Sequence, residues 1–212
     1  NVSAGTKERY SQIMGFKPEA FDRVCQNIRD AVAIKRLQGL TVTLGIQMVL
    51  MPDMGDQIMP FAQLGLDLGV DYAVIKHCSD DEDRRLGVHY GAYHSLHDLL
   101  LQAESLSTPA YKCVVKWNKI RDAEQEVNAR SYQRCYGPPF IIQVSGSGLV
   151  APCGMLFNDR YAKFHIGNIC EERWWDIWQS DRYWEVMRYL ASDQFDAQRM
   201  CGALCLQDLT NR

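Results

Sequence analysis

The chain has no apolar run approaching the ~20 residues that a membrane-spanning helix needs, and no signal peptide is visible at its start. It also lacks an excess of positive charge. Its 23 Lys and Arg stand against 26 Asp and Glu, a net charge of -3, which argues against a nonspecific nucleic-acid binder. It does not lack core material. Of 212 residues, 47% are hydrophobic, enough for one large domain or two small ones. Nor does it lack cysteine: there are 8. In a short secreted chain these would read as a disulfide framework. In a long, core-rich chain without a signal they read as reduced thiols of a cytoplasmic protein.

Four of the eight fall into two clips. Cys135 and Cys153 bracket an apolar strand (Phe140 to Val144), a turn with Gly146 and Gly148, and a return strand (Leu149 to Ala151). A hairpin of that kind brings its two ends together. Cys201 and Cys205 are four apart and, if helical, share a face. Four thiolates from two clips can surround one metal centre, and soft sulfur ligands select zinc or iron–sulfur clusters. Cys25 lies on an apolar helical stripe and reads as a core residue.

The remaining pattern is one of alternation. Thr6 to Met14 predicts a short helix with Tyr10 and Ile13 on one face. A second helix begins at Pro18 and carries the stripe Phe21, Val24, Cys25, Ile28, Val32 and Leu37. Leu40 to Met51 reads as a strand buried on both faces. A helix over Gln57 to Leu68, a strand over Asp71 to His77, a polar loop from Ser79 to Tyr90, a helix over His94 to Leu106 and a strand over Ala110 to Trp117 follow. Parallel strands need such crossovers, so this half is α/β, either an open sheet or a barrel. Both architectures place chemistry at the carboxyl ends of the strands, where Gln47, Lys76, His77, Cys78, Lys116 and Asn118 stand. The acidic run Ser79 to Asp83 reads as a solvated loop, and Asn118 to Arg134 as a linker. Beyond it, Tyr161 to Ile169 predicts a strand, Glu171 to Gln179 a helix whose Trp174, Trp175 and Trp178 pack a small core, and Asp181 to Leu190 a further helix.

The cysteines sit in a fuller pattern: Cys135; Gly148 and then Cys153; Gly167-Asn168-Ile169; Glu171-Glu172; Asp176-Ile177-Trp178-Gln179-Ser180; Cys201-x3-Cys205. This resembles the C-terminal SPASM/twitch extension of radical S-adenosylmethionine enzymes. Val2-Ser3-Ala4-Gly5 with Glu8-Arg9-Tyr10 is similar to that family's fourth barrel strand and following helix. The resemblance implies an α/β fold: residues 1–125 as the later part of a partial (β/α)6 TIM-like barrel, followed by a small α+β SPASM/twitch domain over 126–212. It implies one auxiliary [4Fe–4S] cluster on Cys135, Cys153, Cys201 and Cys205, with Gly146, Gly148 and Gly154 as candidate N–H donors to its sulfurs. Ser3, Gly5 and Gln47 are implied as contacts to S-adenosylmethionine. Lys76 and Lys116 end strands at the same mouth, where a lysine reads first as solvated and second as a substrate or carboxylate contact.

The family's Cys-x3-Cys-x2-Cys, which binds the cluster that ligates S-adenosylmethionine, is absent. A fragment lacking that segment is the expectation, with the second [4Fe–4S] cluster belonging to the full-length enzyme. Cys170 is not required by the pattern. The implied chemistry is hydrogen abstraction by a 5′-deoxyadenosyl radical, with the auxiliary cluster accepting or relaying an electron. The substrate would be a peptide or a small molecule, the outcome an oxidation or dehydrogenation, and the electron donor external, such as flavodoxin or ferredoxin. A non-catalytic binding module with a structural four-cysteine zinc or iron–sulfur site is the rival reading.

Overall fold

The computed structural model describes residues 1–80, 85–117, 120, 131–201, 205 and 207–211. The chain divides into two compact units: Asn1–Ser79 with Gly87–Glu126, and Asp80–Leu86 with Val127–Arg212.

The first unit is built on the expected alternation. Helix α1 (Lys7–Met14) ends on Gly15 in the left-handed conformation. Helix α2 (Glu19–Leu37) starts directly after Pro18, with Glu19 and Asp22 in its first turn and Lys35 and Arg36 in its last. Both charge placements suit the helix dipole. Strand β1 (Gly45–Leu50), helix α3 (Ile58–Leu68), strand β2 (Tyr72–His77), helix α4 (His97–Ser105) and strand β3 (Lys112–Val115) follow. The strands form a parallel sheet in the order β1-β2-β3, with Gln47 opposite Val74 and Ile75 opposite Val115. A short stretch before α1 lies beside β1, since the Val2 N–H donates to the Gln47 carbonyl at 2.8 Å.

The strands do not read as buried on both sides. Burial alternates along each one. Ile46, Met48 and Leu50, with Ala73 and Ile75, are buried in a core with Ile58, Phe61 and Leu100. Gln47, Val49, Val74, Lys76 and Val114 occupy the other face and are only half-buried.

Several boundaries differ from the sequence expectation, each for a tertiary reason. The strand expected from Leu40 begins only at Gly45, because the Leu44 N–H is taken by the Asp71 carboxylate at 2.6 Å while Leu40 and Val42 stay exposed. The helices expected at Gln57 and His94 are entered through 3-10 turns, Pro52–Gln57 and Tyr90–Leu96. Leu37 points to solvent rather than into the stripe. Most of the expected linker, like Asn118 and the acidic residues 81–83, lies outside the described residues.

The second unit holds a three-stranded antiparallel sheet: β4 (Gln143–Val144), β5 (Leu149–Ala151) and β6 (Gly167–Asn168). Helices α5 (Trp174–Gln179), α6 (Asp181–Leu190), α7 (Ala197–Met200) and α8 (Asp208–Asn211) complete it. Its core gathers Val150, Phe164, Ile177, Tyr183, Val186, Leu190 and Phe195. The strand expected over Tyr161 to Ile169 is instead a 3-10 turn, Asp159–Phe164, followed by the two residues of β6. The reason is Arg182. Its guanidinium donates to the carbonyls of Lys163 and, at 2.9 Å, of His165, satisfying backbone acceptors that a sheet would otherwise have to pair. The tryptophans are a second correction. Only Ile177 of α5 is buried, at 1% exposure, whereas Trp175 is 58% exposed. A six-residue helix offers one inward position, so Trp174 and Trp175 pack on Trp178 at centroid distances of 6.0 and 6.1 Å instead.

Two expected outcomes follow from the first unit. Burial keeps the Tyr93 phenol protonated; it donates to the Leu50 carbonyl at 2.6 Å and accepts from the Cys78 N–H at 3.1 Å. Tyr93→Phe leaves those strand ends without that partner and is expected to cost about 1–3 kcal/mol in denaturant unfolding. The Asp71 carboxylate is held below its usual range by the Lys35 ammonium, at 2.6 Å, and by the Leu44 N–H. Its folded pKa therefore lies below its unfolded value. Its contribution is complete above about pH 4 and is lost as pH falls through the lowered value. Thermal unfolding of Asp71→Asn should show a shallower acid dependence than the wild type.

Candidate metal centre

Cys135, Cys153, Cys201 and Cys205 line one cavity of the second unit. The rest of its wall is Pro138, Pro152, Met155, Leu156, Leu190, Phe195, Met200 and Gln207. Among the described residues, no carboxylate and no cation belongs to that wall, so the thiols are its candidate metal-binding donors.

Each cysteine is delivered by a local device. The Cys135 N–H donates to the Leu190 carbonyl at 2.9 Å, anchoring it to the end of α6. The chain then turns at Gly137, whose missing side chain leaves room for Gln207. It rises through β4 and reverses at Ser145–Gly148, where the Gly148 N–H donates to Ser145. Gly148 has φ +84°, a conformation that glycine adopts without strain. Two residues after β5, Cys153 is extended. Cys201 follows α7, whose start is capped by the Asp196 carboxylate at the Gln198 N–H, 2.9 Å. Cys201 is extended rather than helical, so the one-turn helical clip expected with Cys205 is not formed at its first residue. Residues 202–204 lie outside the described residues. Among the described residues, no three His, Cys, Asp or Glu converge on a point that would hold a single metal ion.

Two residues that the sequence did not single out tie the cavity together. The buried Gln207 donates through Nε2 to the carbonyls of Ile141, at 2.8 Å, and Pro152, at 3.2 Å. It thereby spans both limbs of the hairpin. Asn211 contacts Cys135 Sγ at 3.4 Å. Neither lies in a motif, and only the proximity of Gln207 to Cys205 in the chain could have drawn attention to it. Of the glycines expected as donors to sulfur, Gly148 uses its N–H in the turn.

The other cysteines are elsewhere. Cys25 and Cys113 are buried in the first unit, and burial pushes the Cys113 thiol up to about 11, which keeps it protonated. Cys170 is exposed, with its N–H on Asn168 Oδ1, and is not part of the cavity wall.

In the first unit, Gln47 and Lys76 share the half-buried face of the sheet. Ser3 is half-buried between buried Val2 and Ala4. Gly5 faces α3. Its N–H donates to Gln57 Oε1 at 3.1 Å, and a side chain there would collide with the backbone of Pro60 and Phe61. His77 is buried beside Tyr90 and Tyr93, at centroid distances of 6.1 and 6.0 Å. Cys78 is half-buried and Lys116 exposed at the same strand ends.

A family model for an iron–sulfur cluster-binding domain, SPASM, matches residues 135–205, from the first cavity cysteine to the last. Residues 135–205 are thus similar to that iron–sulfur cluster-binding domain family. Among solved structures, SuiB of Streptococcus suis superposes with a TM-score of 0.55 at 13% identity, over 88% of this chain and 44% of that one. The likeness is one of fold, and the chain spans less than half the length of SuiB. BtrN, in complex with AdoMet and 2-DOIA, matches at 17% identity over 79% of this chain and 62% of that one, with a TM-score of 0.31. No curated protein matches. Among the described residues, no helix of the chain is long and apolar enough to cross a membrane.

The hairpin between Cys135 and Cys153 can be probed directly. Gly148→Ala would place a methyl group against Asn168 Oδ1 and Cys170 Sγ at a positive φ. It is expected to destabilise the domain by about 1–3 kcal/mol in thermal unfolding. Unchanged stability would mean that the turn remodels freely.

Proposed function

We propose that the chain is part of a radical S-adenosylmethionine enzyme whose SPASM domain holds one auxiliary [4Fe–4S] cluster through Cys135, Cys153, Cys201 and Cys205. The observation that carries this reading is the single cavity lined by all four cysteines and otherwise by apolar side chains and one amide. The donor set fits the group: soft thiolates are the usual ligands of iron–sulfur clusters. The wall is mostly apolar, and solvent exposure around a cluster is one of the protein's means of setting its potential.

When bound, the cofactors of such an enzyme supply radical hydrogen abstraction and one-electron transfer, and the protein binds, orients and shields. In this proposal the first unit is the later part of a partial (β/α)6 barrel. Ser3 and Gln47 contact S-adenosylmethionine, and Lys76 contacts an anionic group of the substrate. Valines 49, 74 and 114 give that face an apolar floor. The substrate class is a small molecule or peptide undergoing oxidation, and electrons arrive from an external donor such as a flavodoxin or ferredoxin.

Anaerobic reconstitution followed by iron, sulfide and zinc counts tests the reading. About four iron and four sulfide per chain are expected. Cys153→Ala should lower that count, and Cys25→Ala should leave it unchanged. One tightly held zinc without sulfide would replace the cluster by a structural site and return the chain to the binding-module reading.

A further inference from the structure

The sulfur of Cys135 is addressed by two amides. Gln207 Oε1 lies 3.7 Å away and accepts from the thiol, while its Nε2 is committed to the Ile141 and Pro152 carbonyls. Asn211 is oriented the other way. Its Oδ1 accepts from the Tyr136 N–H at 2.6 Å, and its Nδ2 donates to the Gln207 carbonyl at 3.1 Å and to Cys135 Sγ at 3.4 Å. Which end of this amide faces sulfur is dictated by its neighbours. A backbone N–H needs an acceptor and a backbone C=O needs a donor, so the NH2 group is left toward Cys135. When the thiol loses its proton to become a ligand, the Gln207 bond loses its donor. The Asn211 bond remains, and a charged acceptor strengthens it.

We propose that Asn211 is a positioning residue for the auxiliary cluster, donating a hydrogen bond to the ligand sulfur of Cys135 and thereby raising the cluster's reduction potential. This rests on Cys135 being a ligand. A donor at sulfur stabilises the reduced, more negative state more than the oxidised one, and hydrogen bonds to sulfur are among the factors that set cluster potentials.

The test is a dye-mediated redox titration of the reconstituted protein, read by electron paramagnetic resonance, with iron and sulfide counts on every sample. Asn211→Leu removes the donor at similar volume. Asn211→Asp keeps the acceptor for the Tyr136 N–H but offers no donor. Both are expected to retain the wild-type iron and sulfide and to titrate at lower potential. The ratio of reduced to oxidised cluster at a fixed potential should fall roughly three- to tenfold, a tenfold change being 59 mV for a one-electron couple. An unchanged potential in both variants with intact clusters overturns the proposal. So does loss of the cluster in both, which would make Asn211 a requirement for holding the cluster rather than for tuning it. A wild-type protein without iron and sulfide would sink the ligand reading itself, an outcome seen before any variant is made.

Discussion

Thiols from both ends of a 135–205 stretch have to meet around one apolar cavity, and the second unit is arranged to deliver them. A hairpin returns the chain so that Cys153 comes back toward Cys135. The Cys135 backbone is fastened to the last carbonyl of α6. The chain's final residues fold back so that Gln207 bonds both limbs of the hairpin. None of these devices is large. An antiparallel sheet with strands of two or three residues has little stability of its own, and its persistence depends on the core of Phe164, Ile177, Tyr183 and Leu190 packed beside it.

The cavity's apolar wall has an energetic consequence. A charge in an apolar wall is disfavoured unless it is paired, and a metal centre supplies that pairing to the thiolates it binds. Ligand affinity and folding of the domain are then one equilibrium. The Gln207 and Asn211 amides are placed for the two ends of that change: one accepts from a thiol, the other donates to a thiolate.

How much of this could be read beforehand follows from the range of the interactions. The alternation of helix and strand in the first unit was legible, because stripes such as Phe21–Cys25–Val32 and the β-branched run around Val49 are local signals. The ends of the strands were not. β1 starts at Gly45 because an aspartate 27 residues away takes the Leu44 N–H, and nothing near Leu44 announces it. Residues 161–169 look like a strand until Arg182 satisfies their carbonyls from another element. The cysteines were legible from spacing and context, whereas Gln207 and Asn211 reach Cys135 across separations of 72 and 76 residues. Single polar residues in no repeating pattern leave no trace in a sequence. The tryptophans misled for the opposite reason, since their composition suggests a core that a six-residue helix has no room to build.

The sheet of the first unit carries the same lesson toward function. A run such as Gly45–Leu50 reads as buried throughout, yet burial alternates along it, and Ile46, Met48 and Leu50 are the residues packed into the core. The other face sets valines 49, 74 and 114 beside Gln47 and Lys76. Ligand sites are mostly apolar surfaces with a few placed polar groups, and in parallel α/β folds they gather at the carboxyl ends of the strands. Lys76 stands one residue from the end of β2, opposite Val49. A lysine at that position costs little while it remains solvated, and its charge gains most where a ligand displaces that water. In the proposed function, this half-buried face is where the first unit would offer a substrate both an apolar floor and a charge.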